Sequence, residues 1–254
     1  MDKEFKKELV KKEDEKAPQY IFISKIRYKE PIADIEEYYN KNKDMIELTR
    51  PDIDKNLPLQ LAVSAKNYEG VQFIINKFIN KERDINLVNS LGWSALHTSC
   101  ALPNTEEITT LLLNNGADIN LENKHKQTPL HIAAGKNRTS NIKVLLSYPS
   151  IEINSIDYNG FTPLLKAAAS LSYESALILL AQDNIQLNIR DKIGNTAIHY
   201  VLEDNKYDIA IKMIQRGADI TIENNDKKTC LDLINDQNVK ELITSYIKNV
   251  AQKL

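Results

Sequence analysis

Apolar positions return along this chain with a fixed period. Ile108, Leu111 and Leu112 are followed 34 residues later by Ile142, Leu145 and Leu146, then by Ala176, Leu179 and Leu180, then by Ala210, Met213 and Ile214. Within each set the spacing is i, i+3, i+4, which lines one face of a helix. A second register is a short triplet that opens each unit: Pro58-Leu59-Gln60, Ala95-Leu96-His97, Pro129-Leu130-His131, Pro163-Leu164-Leu165, Ala197-Ile198-His199 and Cys230-Leu231-Asp232, separated by 37, 34, 34, 34 and 33 residues. A third is a closing Asn at Asn86, Asn120, Asn154 and Asn188, with Thr221 in the next slot. Three registers in agreement predict a tandem array in which each unit holds two short helices and a turn.

Glycine falls into the same frame. Of seven glycines, Gly92, Gly160 and Gly194 stand shortly before a triplet, at a turn that needs positive φ, and Gly116 and Gly217 follow a helix end. The one-residue excess over a 33-residue unit is expected in the turn between helices, as in Ala133–Arg138, because turns accept insertions. The array has atypical ends, as terminal units with one solvated side should. Tyr20–Lys29 and Ile32–Lys41 read as a divergent helix pair split at Pro31, with Tyr38 and Tyr39 available to face inward, and a last helix is expected from about Asn238 to Val250. Residues 1–16 carry six Lys and six acidic residues, so residues 1–17 are expected to be a charged flexible tail. The remainder, 18–254, divides into seven units of roughly 18–50, 51–88, 89–122, 123–156, 157–190, 191–223 and 224–254.

A unit of about 33 residues with a Thr-Pro-Leu-His start, two helices and a Gly-Ala-Asp-x-Asn close resembles the ankyrin repeat. The cleanest copies are Thr128-Pro129-Leu130-His131-Ile132-Ala133-Ala134 and Gly194-Asn195-Thr196-Ala197-Ile198-His199. Thr caps the first helix, Pro is tolerated in its first turn, and Ala133, Ala134, Ala167 and Ala168 let successive first helices stack closely. The resemblance implies an all-α, ankyrin-repeat solenoid of about seven repeats with short β-hairpin turns.

Composition narrows the chemistry. Lys+Arg 33 against Asp+Glu 35 leaves a net charge of -2, which gives nucleic acid no overall attraction. Two cysteines, Cys100 and Cys230, exclude a disulfide framework and a four-thiolate zinc site and read as buried small hydrophobes. The N-terminal residues lack the apolar stretch of a signal peptide and no run of about 18 apolar residues suggests a membrane span, so a cytoplasmic and nuclear protein is expected. His97, His131 and His199 share one repeated slot, which sets them apart along the array instead of converging. Their expected role is to bond backbone groups of a neighbouring turn, with Leu165 in the same slot arguing against a ligand set. No phosphate loop, nucleophile elbow or zinc-protease motif occurs, and the carboxylates are spread by the repeat. No catalytic residue, cofactor or metal is expected.

What such an array offers is a binding face of hairpin tips and first helices. Candidate partner-binding residues on it are Asp54, Glu122, Asp157, Tyr158, Asp191, Glu223 and Asp226, interleaved with Lys124, Lys126, Lys192 and Lys227, together with Trp93, for which packing at the repeat junction is equally open. The mixed signs suit a protein partner with its own charge pattern, and the chain is expected to be a monomer by itself. Four longer strings, Gly92–His97, Ala133–Arg138, Asn188–Thr196 and Ile222–Thr229, are similar to the gankyrin family, the non-ATPase ankyrin chaperones of the proteasome regulatory particle, over about residues 20–250. That resemblance implies an assembly chaperone that grips the C-terminal domain of a base ATPase subunit, its acidic residues meeting basic ones, with Glu36 and Asp54 where the family carries such carboxylates. Ser90, Asn56 and Ile156 depart from the family's acid, Arg and Lys, and Tyr200–Asp204 lacks the Leu-x-Cys-x-Glu string, so retinoblastoma-type binding does not carry over. The other readings open at this point are an adaptor or inhibitor docking a kinase, transcription factor or ubiquitin-ligase partner and, with no motif behind it, an enzyme.

Overall fold

A computed structural model describes residues 18–47, 51, 56–78 and 85–251. Among them thirteen α-helices follow one another, mostly in pairs: α1 (Pro18–Arg27) and α2 (Ile32–Asn42); α3 (Pro58–Ser64) and α4 (Tyr68–Phe78); α5 (Ala95–Ala101) and α6 (Glu106–Asn114); α7 (Pro129–Gly135) and α8 (Thr139–Leu146); α9 (Pro163–Ala169) and α10 (Tyr173–Leu180); α11 (Ala197–Glu203) and α12 (Tyr207–Gln215); and α13 (Gln237–Ala251). Short 3-10 helices follow α2 at Lys43–Met45 and precede α13 at Cys230–Leu233, the latter in the place of a first helix. The expected tail, residues 1–17, lies outside the described residues. Among the described residues the hairpins carry one isolated β-bridge, Glu223 to Thr229, and no sheet.

The chain divides into two compact units, residues 1–99 with 111–117 and residues 100–110 with 118–254. In the first unit, α1, α2 and α4 meet at three aromatic rings. Phe22 lies 6.1 Å from Tyr39 and 6.4 Å from Phe73, and Tyr39 stands edge-on to Phe73 at 5.9 Å. Tyr39 thus faces inward as expected, whereas Tyr38 sits under the Lys25 ammonium, 5.6 Å from its ring. Buried Asn67 ties α1 to the start of α4, donating to the Ile26 carbonyl at 3.0 Å and accepting the Gly70 N–H at 2.9 Å.

In the second unit the first helices α7, α9 and α11 pack side by side, followed by the 3-10 turn at Cys230. Ala133, Ala134, Ala167 and Ala168 have no exposed surface, which is how the helices come this close. The second helices α8, α10 and α12 close the core with Ile142, Leu145, Ala176, Leu179, Ala210 and Met213. Full burial of a Leu or Ile side chain stabilises by about 1.5–3 kcal/mol; no single repeat could bury these alone.

The extra residue does not sit where the sequence pattern put it. From the start of α7 to the start of α8 is the same ten-residue step as from α9 to α10 and from α11 to α12. The step from α5 to α6 is one residue longer, with Asn104 at φ 55 in that turn. In the next two repeats the excess instead follows the second helix, where Ser147–Glu152 and Ala181–Gln186 replace the compact Gly-Ala-Asp close. The apolar register of α6 therefore shifts by one: Leu112 and Thr109 are fully buried, while Leu111 is half-buried.

Candidate functional site

Among the described residues, five hairpin tips are each closed by one Asn or Asp side chain. In the first unit Asn89 Oδ1 accepts the N–H groups of Leu91 at 2.9 Å and Trp93 at 3.0 Å. In the second unit Asn123 accepts His125 and Gln127, Asp157 accepts Asn159 and Phe161, Asp191 accepts Ile193 and Asn195, and Asn224 accepts Asp226 and Lys228, all at 2.8–3.1 Å. The residue three beyond each of these has positive φ: Gly92, Lys126, Gly160, Gly194 and Lys227. Glycine marks three of those corners in the sequence, and two are carried by Lys, which the glycine pattern alone does not reveal.

This geometry corrects two expected contact residues. Asp157 and Asp191 are buried, 4% and 7% exposed, because both oxygens of each work within the protein. Beyond the turn N–H groups, Asp157 Oδ2 accepts from Gln127 Nε2 at 3.1 Å and Asp191 Oδ2 from the Tyr200 hydroxyl at 2.6 Å. They hold the tips in shape and do not project from them.

The histidine slot is structural. His131 Nδ1 faces the Thr128 N–H at 3.2 Å and so acts as acceptor, which leaves Nε2–H to donate to the Phe161 carbonyl of the next repeat at 2.9 Å. His199 repeats this with Thr196 and, at 3.4 Å, the Lys228 carbonyl. Burial pulls the pKa of both imidazoles below the ordinary value, outweighing the carbonyl each bonds. In the first unit Gln60 fills the slot, its Oε1 accepting the Leu57 N–H at 3.0 Å and its Nε2 donating to the Trp93 carbonyl. The closing Asn forms a parallel tie: Asn120, Asn154 and Asn188 donate to the carbonyls of Ser150, Asn184 and Gly217 and accept the N–H groups of Glu152, Gln186 and Asp219.

The other expected residues are distributed as follows. Glu36 is half-buried and pairs with Lys77 at 2.8 Å. Asp54 lies outside the described residues. Trp93 is half-buried, its ring 6.1 Å from and tilted against that of His97. Glu122, Glu223 and Asp226 are exposed, with Lys227 4.0 Å from Glu223. Tyr158 is 51% exposed, with Lys126 Nζ 5.6 Å from its ring centroid. The sequence reading missed the cluster behind Tyr158. Half-buried Phe161 lies 6.2 Å from half-buried Tyr200, and Lys166 Nζ is 5.2 Å from the Phe161 centroid. Their signal was available: Phe161 follows Gly160, and Lys166 and Tyr200 hold the fourth position of their first helices, where α7 has Ile132.

Buried polar and thiol groups elsewhere bear on chemistry. Cys100 and Cys230 are fully buried, and burial pushes the Cys230 thiol up to about 12, so it is protonated at neutral pH. Among the described residues no group of three or more His, Cys, Asp or Glu is placed to hold a metal ion. Among them, too, no helix is long and apolar enough to cross a membrane.

Three overlapping segments, residues 35–123, 59–157 and 104–191, match the family described as ankyrin repeats in three copies, and residues 193–225 match the single ankyrin repeat. No curated protein matches the sequence. Among similar solved structures is the ankyrin repeat domain of Bcl-3, a member of the IkappaB protein family, with a TM-score of 0.71 and 19% identity, covering 88% of this chain and 97% of that one. At that identity the likeness speaks for the fold, an all-α ankyrin-repeat solenoid.

Proposed function

Because the chain belongs to the ankyrin-repeat family, we propose that it is a non-enzymatic scaffold whose partner is the C-terminal domain of a proteasome base ATPase subunit, for which it acts as an assembly chaperone. Ankyrin repeats bind protein partners. The structural observation that carries the scaffold reading is the face around Tyr158, Phe161 and Tyr200, where large rings held by neighbouring repeats remain partly uncovered. The narrower chaperone reading draws its support from the four strings similar to the gankyrin family, above all Ile222–Thr229, which departs from the general repeat. Trp93, Glu122, Tyr158, Glu223 and Asp226 are its contact residues, joined by Glu36 and Asp54; Asp157 and Asp191 position them.

The mechanism is steric and electrostatic: a preformed surface covers part of the ATPase and leaves when the mature particle takes shape, with no bond made or broken. It needs no cofactor and no metal, and it places the protein, a monomer until it binds, in cytoplasm and nucleus. The test is a pull-down against each of the six base ATPase subunits, together with co-migration in lysate. Capture of one subunit and co-migration with free base precursors, absent from mature proteasomes, supports the chaperone. Capture of none of the six overturns it. The second reading is an adaptor or inhibitor of a signalling partner, and the likeness in fold to an IkappaB family member favours it; a kinase, transcription factor or ubiquitin-ligase component captured instead of an ATPase is its expected result.

A further inference from the structure

We infer that the tip face between Glu122 and Tyr200 takes an acidic segment that also bears large apolar side chains. The inference rests on the reading of the chain as a protein-binding scaffold, but it reverses the charge which that reading's resemblance assigns to the partner.

The reversal follows from where the carboxylates went. Along these three tips and their first helices, Asp157 and Asp191 are turned inward onto backbone N–H groups. The outward charges left on the tips are Lys124, Lys126 and Lys192, with Lys166 behind them, while exposed Arg190 donates to the Gly194 carbonyl and to Asn225 Oδ1. Against these stand Glu122 at one end and Glu203 beside Tyr200 at the other. A sequence count of near neutrality thus resolves into tips whose outward-facing charged groups are mainly basic, because two acids are turned inward to close hairpins.

Apolar surface accompanies the charge. Tyr158 and Ile193 are 51% and 57% exposed at adjacent tips, and Ile156 is 48% exposed. Lys126 over Tyr158 and Lys166 over Phe161 interleave ammonium groups with rings, so an incoming carboxylate and an incoming apolar side chain both find their complement within one repeat. Exposed charge pairs of this kind set orientation and encounter rate more than depth of binding, and salt screens them over about 8 Å at physiological strength. Affinity therefore has to fall with salt.

The test uses the full chain and two fluorescein-labelled peptides, one built of Glu, Leu and Phe and one with every Glu replaced by Lys. Fluorescence anisotropy is expected to show at least ten-fold tighter binding of the acidic peptide at low salt. Lys124→Glu with Lys192→Glu, both exposed and at ordinary backbone angles, is expected to remove that preference without changing the melting temperature; Tyr158→Ala is expected to weaken binding of the acidic peptide in an otherwise native chain. Equal binding of the two peptides, preference for the basic one, or binding of neither overturns the inference. If an ATPase subunit is nevertheless captured by the same chain, the scaffold reading stands and only the charge of its partner segment is wrong.

Discussion

The Tyr200 hydroxyl donates to the Asp191 carboxylate at 2.6 Å, linking a first helix to the hairpin tip that precedes it. That carboxylate also accepts the N–H groups of Ile193 and Asn195, so one side chain fixes both the turn and the ring beside it. An acid that looks like a contact residue is thereby a keystone of the contact surface.

Replacing Asp191 by Ala strands buried donors, and each costs about 1–3 kcal/mol. The expected loss in urea unfolding is about 2–4 kcal/mol. Asp191→Asn is expected to lose about 1 kcal/mol or less, because Asn89, Asn123 and Asn224 already perform the same closure. Equal losses for the two variants would show that the charge, and not the acceptor geometry, is what the turn requires.

The buried imidazoles predict acid sensitivity. Burial lowers the pKa of His131 and His199 in the fold, while the unfolded chain titrates near the ordinary value of about 6.5. Below that value the unfolded state binds more protons, so their contribution is complete above about pH 6.5 and is lost as pH falls toward the folded pKa. Melting temperature is expected to drop between pH 7.5 and 5, and His131→Gln, which copies the arrangement of Gln60, to flatten part of the slope. A slope unchanged by that substitution would place the acid sensitivity elsewhere.

Two glycines separate steric from conformational cost. Both have positive φ, but a Cβ on Gly160 would come within 2.9 Å of the Asp191 Cα, whereas one on Gly217 meets nothing within 4 Å. Gly217→Ala is expected to cost about 1 kcal/mol from the left-handed backbone alone, and Gly160→Ala clearly more, since backbone must move. The two unfolding midpoints decide it; a larger loss at Gly217 contradicts the tip geometry.

Leu171 holds the turn between α9 and α10 at φ 56 and is 59% exposed. The matching turns use Asn137 and Asn205 at φ 54 and 58. Asn tolerates this conformation better than Leu, so Leu171→Asn is expected to raise stability by about 0.5–1 kcal/mol. Lower stability in the variant would mean that the exposed Leu makes contacts worth more than the strain.

These cases show what the repeat pattern carries and what it hides. In the second unit the triplets, the closing Asn and the small alanines mark positions where repeats touch their neighbours, so they recur at readable intervals. The excess residue falls between these recurring positions, in the turn after α5 and in the segments after α8 and α10, and not in the turn after α7. Turn closure was hidden because Asn and Asp do the same work: the series Asn89, Asn123, Asp157, Asp191 and Asn224 keeps the period, yet split by residue type it dissolves into polar tips. Burial of two of its members then changed the sign of the exposed charge, which no count of Lys and Glu reveals.

The central claim, that this chain binds a base ATPase subunit through its tip face, is tested most directly by pull-down of the six subunits with the wild-type chain and with Tyr158→Ala combined with Lys192→Glu. The account predicts that the wild type retains one subunit, and that the variant, melting at the same temperature, retains at least ten-fold less. Capture of none of the six by the wild type, or equal capture by both chains, would contradict it.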